Sequence, residues 1–395
     1  MLHLPGGSTP PELEPLLEAA ADPWGAVQRA TAGGERILGL QCASLPEELP
    51  HALGLRPWRL ILRPDPPLRA SAVLQGFCCS WLQSLLDQGL SGALAGLVGL
   101  TLAGNTCDSI RGLPELWRRA GARPTELHLL RLPARLEGSA ARELLEAELA
   151  GWVRWLEGIA GRRLEPAALE ASARLANRVR AGLRRLQALA GRGAVPYAVV
   201  EAAHRGASAL GWEASAAPLE SATAAFESTA AALEARAPHA AEGGRDDRLR
   251  LLVAGGLLDG SGLLEWLDGQ GALCVLDETC ALGRSLEPEV DLDPQGGLRE
   301  LAERQLRRSP CAATPGSGPR RAAALVEQAR ERGAAGVILV ALRGCEPHAF
   351  DAVLIAEALG RAGLPHLALE LDPHQPIAGS AATRLQAFLE RLEVE

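Results

Sequence analysis

The sequence predicts an α/β fold: two Rossmann-like parallel-sheet lobes with a helical insert, and a ligand crevice between the lobes. Three observations predict it. Apolar runs that end at turn residues alternate with helical patterns in two separate stretches, as βαβ units do. Between those stretches, apolar residues recur at helical spacing for about a hundred residues. The length of 395 residues suggests about two or three domains, enough to bury a sizeable core.

In chain order, residues 1–35 read as an N-terminal helical arm, and residues 36–136 as the first lobe. Its strands are expected at Arg36–Gln41, Trp58–Leu62, Val98–Ala103 and Leu127–Leu130, with helices at Pro46–Leu53, Cys79–Ala95 and Ser109–Ala120. Residues 137–245 form the helical region, carried by segments such as ARELLEAELAGWVRWLEGIAG. The polar, Gly-containing run Ala237–Asp247 marks its end. Residues 246–395 make the second lobe, with strands at Arg248–Gly255, Ala272–Glu278, Gly336–Ala341 and His366–Leu371. Helices are expected at Leu263–Gln270, Asp351–Arg361 and Thr383–Leu392, and an acidic, Pro/Gly-containing loop fills the space before Gly336.

Composition excludes several chemistries. All 40 basic residues are arginine, so the chain has no P-loop lysine, Schiff-base lysine or lysine general base. A net charge of −8 argues against a nucleic-acid groove. No apolar run approaches the ~18–20 residues of a membrane span, and MLHLPGGSTPPELEP lacks the regions of a signal peptide, so the expected location is the cytoplasm. There the 8 cysteines point to metal ligation or redox chemistry rather than a disulfide framework.

The positions of those cysteines are informative. Cys42, Cys107, Cys280 and Cys345 each follow an expected strand, and the carboxyl ends of parallel strands face the ligand crevice. Cys79 opens a helix, where free N–H groups favour a thiolate, and Cys311 sits in the loop SPCAATPGSGP. Cys274, in mid-strand, reads as a small core hydrophobe, and Cys78 fits either role. No CxxC pair is present, which excludes zinc ribbons and ferredoxin-type runs, and spacing alone leaves iron–sulfur and zinc both open.

The segments LGLQCASLPEELPHALGL (Leu38–Leu55), CSWLQSLLDQGL (Cys79–Leu90), NTCDSIRGLPELW (Asn105–Trp117), DETCALGR (Asp277–Arg284), SPCAATPGSGPRRAAAL (Ser309–Leu325) and GVILVALRGCEPHAFD (Gly336–Asp351) together resemble one superfamily. It comprises the 2-hydroxyacyl-CoA dehydratases and benzoyl-CoA reductases, and the resemblance runs over nearly the whole chain beyond the first 35 residues. It implies a [4Fe–4S] cluster on Cys79, Cys107 and Cys345, with one iron lacking a protein ligand. Such a cluster supplies one electron to a CoA thioester and its open iron acts as a Lewis acid on the resulting ketyl. The resemblance also implies an ATP-dependent activator protein with its own iron–sulfur cluster, and a dimer with a homologous subunit or with itself. A double-cubane branch of the superfamily holds an [8Fe–9S] cluster on about six cysteines, and Cys42, Cys280 and Cys311 are the candidates for its second cube. A non-catalytic partner subunit is a further alternative.

Other residues carry two readings each. Glu48 matches an acidic position of the superfamily and suits proton transfer, or it is a first-turn carboxylate favoured by the helix dipole. Ser44 is a substrate-binding hydroxyl or a helix cap. Glu346 and His348 tune the cluster or relay protons, or they begin the next helix. Arg284 and Arg343 meet CoA phosphates or are surface arginines. The remaining histidines, His3 and His239 among them, show no metal-ligand spacing. VAGGLLDGSG lacks the GxGxxG arrangement of a dinucleotide site.

Overall fold

The computed structural model describes residues 9–63, 65–236, 248–258, 261–280, 282–286, 288–290, 297–372, 374–375, 377 and 379–394. His3, His239 and the boundary segment Ala237–Asp247 lie outside the described residues. Two four-stranded sheets, parallel throughout, form the two lobes. The first contains β1 (Ile37–Leu40), β2 (Arg56–Arg59), β3 (Gly99–Gly104) and β4 (Leu127–Arg131), in the order β2-β1-β3-β4. The second contains β5 (Arg250–Gly255), β6 (Leu273–Thr279), β7 (Gly336–Leu342) and β8 (His366–Leu371), in the matching order β6-β5-β7-β8. The central strands are solidly apolar because helices cover both faces: every residue of β1, β3 and β7 is buried.

The strand order reverses between β1 and β3 and again between β5 and β7, so each sheet opens a crevice at the carboxyl ends of those strands. The helical insert, Ser139–Ala160, Pro166–Ala190, Tyr197–Leu210 and Trp212–Arg236, packs against both lobes. Leu342 at the end of β7 enters the core of the first lobe, and Leu301 and Ala302 join a second first-lobe cluster. These contacts hold the two crevices face to face. Among the described residues no helix is long and apolar enough to cross a membrane.

Several expectations change: the helix expected at Cys79–Ala95 spans Ser80–Leu90, and the one expected at Asp351–Arg361 begins at Glu346. The strand expected at Trp58–Leu62 pairs as Arg56–Arg59, because β1 ends at Leu40; Leu60–Leu62 stay buried beyond the ladder. The acidic loop expected before Gly336 contains the helices Leu298–Arg307 and Gly318–Glu331. Their buried faces combine Leu301, Ala302, Ala322, Leu325 and Ala329 with Arg304, Gln305 and Arg321.

Candidate functional site

A cavity of about 380 Å³ lies between the lobes where the two crevices meet. Six cysteines line it: Cys42, Cys79, Cys107, Cys280, Cys311 and Cys345. Cys78 and Cys274 do not; both are buried in the cores.

Chain topology explains the placement. Cys79, Cys107 and Cys345 are the N-cap residues of the helices Ser80–Leu90, Asp108–Arg119 and Glu346–Arg361. Three helix N-termini therefore aim their positive ends at one volume, which favours anionic sulfur there. The approach of Cys79 to Cys345 requires Gly344. Its φ is +74°, and a Cβ there would stand 2.9 Å from the Phe77 carbonyl oxygen and 3.2 Å from Cys79 Cα. The Ser80 amide donates to the Arg343 carbonyl at 3.1 Å, fastening this segment to the second lobe.

The six sulfurs divide into two sets. In the first, burial pushes the Cys79 thiol up to about 11 and the Cys345 thiol up to about 12; Cys107 adds to the rise of Cys79, Cys79 and then Cys280 and Cys107 add to that of Cys345, and helix-terminal amides oppose it. Burial also raises Cys107, again against the amides of its own helix. In the second set, the Cys280 and Cys311 thiols face one another and shift in opposite directions. Contact with the Cys311 thiol, aided by Arg284 and His348, drives Cys280 well below its ordinary value and leaves Cys311 well above. Cys42 completes this set through its electrostatic coupling to Cys311 and Arg308. The amides of Ser44 and Ala313 donate to Cys42 Sγ and Cys311 Sγ at 3.4 and 3.5 Å.

Buried cations stand behind the second set. Arg284 donates to Cys280 Sγ and to the Pro310 carbonyl. Arg308 donates to the carbonyls of Ala43 and Arg284, so it ties the lobes together, and no carboxylate among the described residues pairs with it. His348, also buried, stands between the sets, with Nδ1 3.3 Å from Cys345 Sγ and Nε2 3.7 Å from Cys280 Sγ.

Among the described residues no three His, Cys, Asp or Glu side chains converge closely enough to chelate a single metal ion. Thiols spaced around a larger volume, with backbone amides and guanidiniums facing them, suit a polynuclear cluster whose irons each take a different sulfur. Cys79, Cys107 and Cys345 are the residues able to hold one cube, and Cys42, Cys280 and Cys311 a second.

Other sequence candidates separate here. Ser44 lines the cavity, and the helix it was expected to cap is instead preceded by Glu47. Glu346 lines the cavity from the first turn of its helix. Glu48, expected at the cleft, lies away from it in the core, wholly buried and paired with Arg180 at 2.6 Å. Burial alone would raise its pKa, but Arg180 and Arg304 overcome this and hold it at about 2. Arg284 is a buried sulfur partner rather than an open phosphate clamp, while Arg343 points outward and pairs with Asp372 at 3.0 Å. Arg308 was not singled out in the sequence, because nothing local distinguishes it from 39 other arginines.

The family described as 2-hydroxyglutaryl-CoA dehydratase, D-component, matches residues 42–392, from the first cavity cysteine to the last helix. This chain belongs to that family. Its relatives include the (R)-phenyllactyl-CoA dehydratase beta subunit of Clostridium sporogenes, 24% identical over 91% of this chain and 92% of the relative. The lactoyl-CoA dehydratase subunit beta of Anaerotignum propionicum is 26% identical over 96% of this chain and 98% of its own length. The (R)-2-hydroxyglutaryl-CoA dehydratase, subunit beta, of Acidaminococcus fermentans is 23% identical over 96% and 98%. As a 2-hydroxyglutaryl-CoA dehydratase D-component family member, the chain thus aligns with beta subunits of dehydratases along almost its entire length.

Proposed function

We propose that this chain is the beta-type iron–sulfur subunit of a cytoplasmic, oxygen-sensitive 2-hydroxyacyl-CoA dehydratase, with a [4Fe–4S] cluster on Cys79, Cys107 and Cys345. The observation that carries this is the convergence of these three cysteines, each a helix N-cap, on one inter-lobe cavity. When bound, the cluster supplies a low-potential electron and a Lewis-acidic iron. The chain's own residues supply the setting. Helix N-termini stabilise the negative charge of the thiolates, and apolar side chains such as Trp81, Leu82 and Ile110 limit water in the cavity. Ser44 offers a hydroxyl at the cavity wall for a thioester substrate. The beta-subunit names of the relatives favour a homologous partner subunit. The chain has no P-loop lysine, which agrees with ATP hydrolysis on a separate activator, and the family resemblance implies that this activator carries its own iron–sulfur cluster.

A second reading is an [8Fe–9S] double cubane, favoured by the separate grouping of Cys42, Cys280 and Cys311 in the same cavity. Iron and acid-labile sulfide per chain after anaerobic purification test both readings. About four irons, lost on replacing Cys79, Cys107 or Cys345 by alanine and retained on replacing Cys78 or Cys274, support the single cube. About eight irons, halved by alanine at Cys42, Cys280 or Cys311, support the double cubane. Full iron in all three of the first variants would sink the assignment. Co-purification with a homologous subunit, and activity only in its presence, separates a partner role from a self-sufficient homodimer.

A further inference from the structure

We propose that His348 is a positioning residue for cluster chemistry, donating a ring N–H to a cavity sulfur and so raising the reduction potential of the cluster held there. The inference rests on the cluster reading above and deepens it. His348 is the third residue after Cys345, so the first turn of the Glu346–Arg361 helix returns its ring to the cavity wall. Nδ1 lies 3.3 Å from Cys345 Sγ. Nε2 lies 3.7 Å from Cys280 Sγ. The ring is buried and rests on Gly256, where a Cβ would come within 3.6 Å of it. A side chain so confined holds its orientation, and both of its ring nitrogens face sulfur.

The physical consequence follows from charge. A hydrogen bond withdraws electron density from a ligating sulfur and stabilises the reduced, more negative cluster, which is one of the established levers on cluster potential. His348 is also the residue through which the two cysteine sets meet, since each of its nitrogens faces a different set. A neutral ring donates one N–H, so losing it acts on the cluster ligated by whichever of Cys345 and Cys280 that nitrogen faces.

The test compares the full chain with H348L, which keeps bulk and removes the donor, and H348Q, which restores an N–H. Each is purified anaerobically and reconstituted with iron and sulfide. The readouts are iron per chain, the electron paramagnetic resonance spectrum of the reduced protein, and the midpoint potential. The expected result is equal iron in all three and a lower potential in H348L. At a fixed poise its reduced-to-oxidised ratio falls about tenfold, which is about 59 mV for one electron. H348Q recovers most of that shift. Unchanged potential in fully loaded H348L overturns the inference while leaving the cluster reading standing, as does an equal shift in H348L and H348Q. Loss of iron from both variants overturns it as well, since the ring would then be holding the site together. A wild-type chain that takes up no iron overturns the cluster reading and this inference with it.

Discussion

Replacing Glu48 by glutamine separates a structural carboxylate from a catalytic one. The wild-type carboxylate is wholly buried, 2.6 Å from Arg180, and its pKa is about 2 against an ordinary 4.5. Because the folded-state value is depressed, its stabilisation is present above pH ~4.5 and is lost as pH falls toward ~2. A gap of about 2.5 pKa units corresponds to roughly 3 kcal/mol at neutral pH. Breaking a buried pair from one side costs about 3–5 kcal/mol by general experience, because the remaining charge is stranded. E48Q strands Arg180 beside Arg304, so the expected loss is roughly 3 kcal/mol. Urea unfolding of the iron-free chain at pH 7.5 should show a lower midpoint at unchanged slope. The difference from wild type should shrink as pH falls below about 4. Glu48→Leu combined with Arg180→Met, which removes both charges, should recover much of the loss. The reasoning fails if E48Q unfolds within about 1 kcal/mol of wild type while the loaded enzyme loses its activity. That result would put the carboxylate on the substrate.

Two further outcomes follow from the same geometry. Burial raises Asp277 to about 7, so the folded chain holds a proton that the unfolded chain has released, and stability from this group falls as pH rises from ~4 to ~7. Asp277→Asn keeps the acceptor for the Thr279 amide, so it should be more stable than wild type at pH 7, by up to roughly 4 kcal/mol, and indistinguishable at pH 4 in thermal melts. Gly344→Ala adds left-handed strain of about 1–2 kcal/mol and a clash with the Phe77 carbonyl, so Cys79 retreats from Cys345. Its iron content should fall well below that of wild type although circular dichroism shows a folded chain, and full iron would refute the packing argument.

Much of the architecture is legible in the sequence because a parallel sheet covered on both faces leaves continuous apolar runs, such as those of β3, β5 and β7. The cysteines at strand ends are legible for the same reason, since the end of an apolar run locates the crevice. What remained hidden depends on distant partners. Glu48 meets Arg180 across 132 residues, and the local run PEEL says nothing of that. Arg308 reaches Ala43 across 265 residues, and one arginine among 40 carries no signal of its own. The helix Gly318–Glu331 buries Arg321 against Asp351 at 2.8 Å, a pairing across 30 residues that the local sequence does not announce.

The two sheets share one strand order, which makes some of the cysteines topological counterparts. Cys107 caps the helix that follows β3, and Cys345 caps the helix that follows β7. The cysteine sets do not respect the lobes, however. Cys345 of the second lobe joins Cys79 and Cys107 of the first, while Cys42 of the first lobe joins Cys280 and Cys311 of the second. Any cluster ligated by either set therefore bridges the lobes, and its binding free energy is at once free energy of lobe docking. Such a cluster would need no CxxC: a local chelate would bind metal before the lobes closed, whereas these cysteines come together only when both crevices face each other. It also gives Arg308 a physical role, since its bonds to Ala43 and Arg284 hold that alignment while its charge faces Cys42.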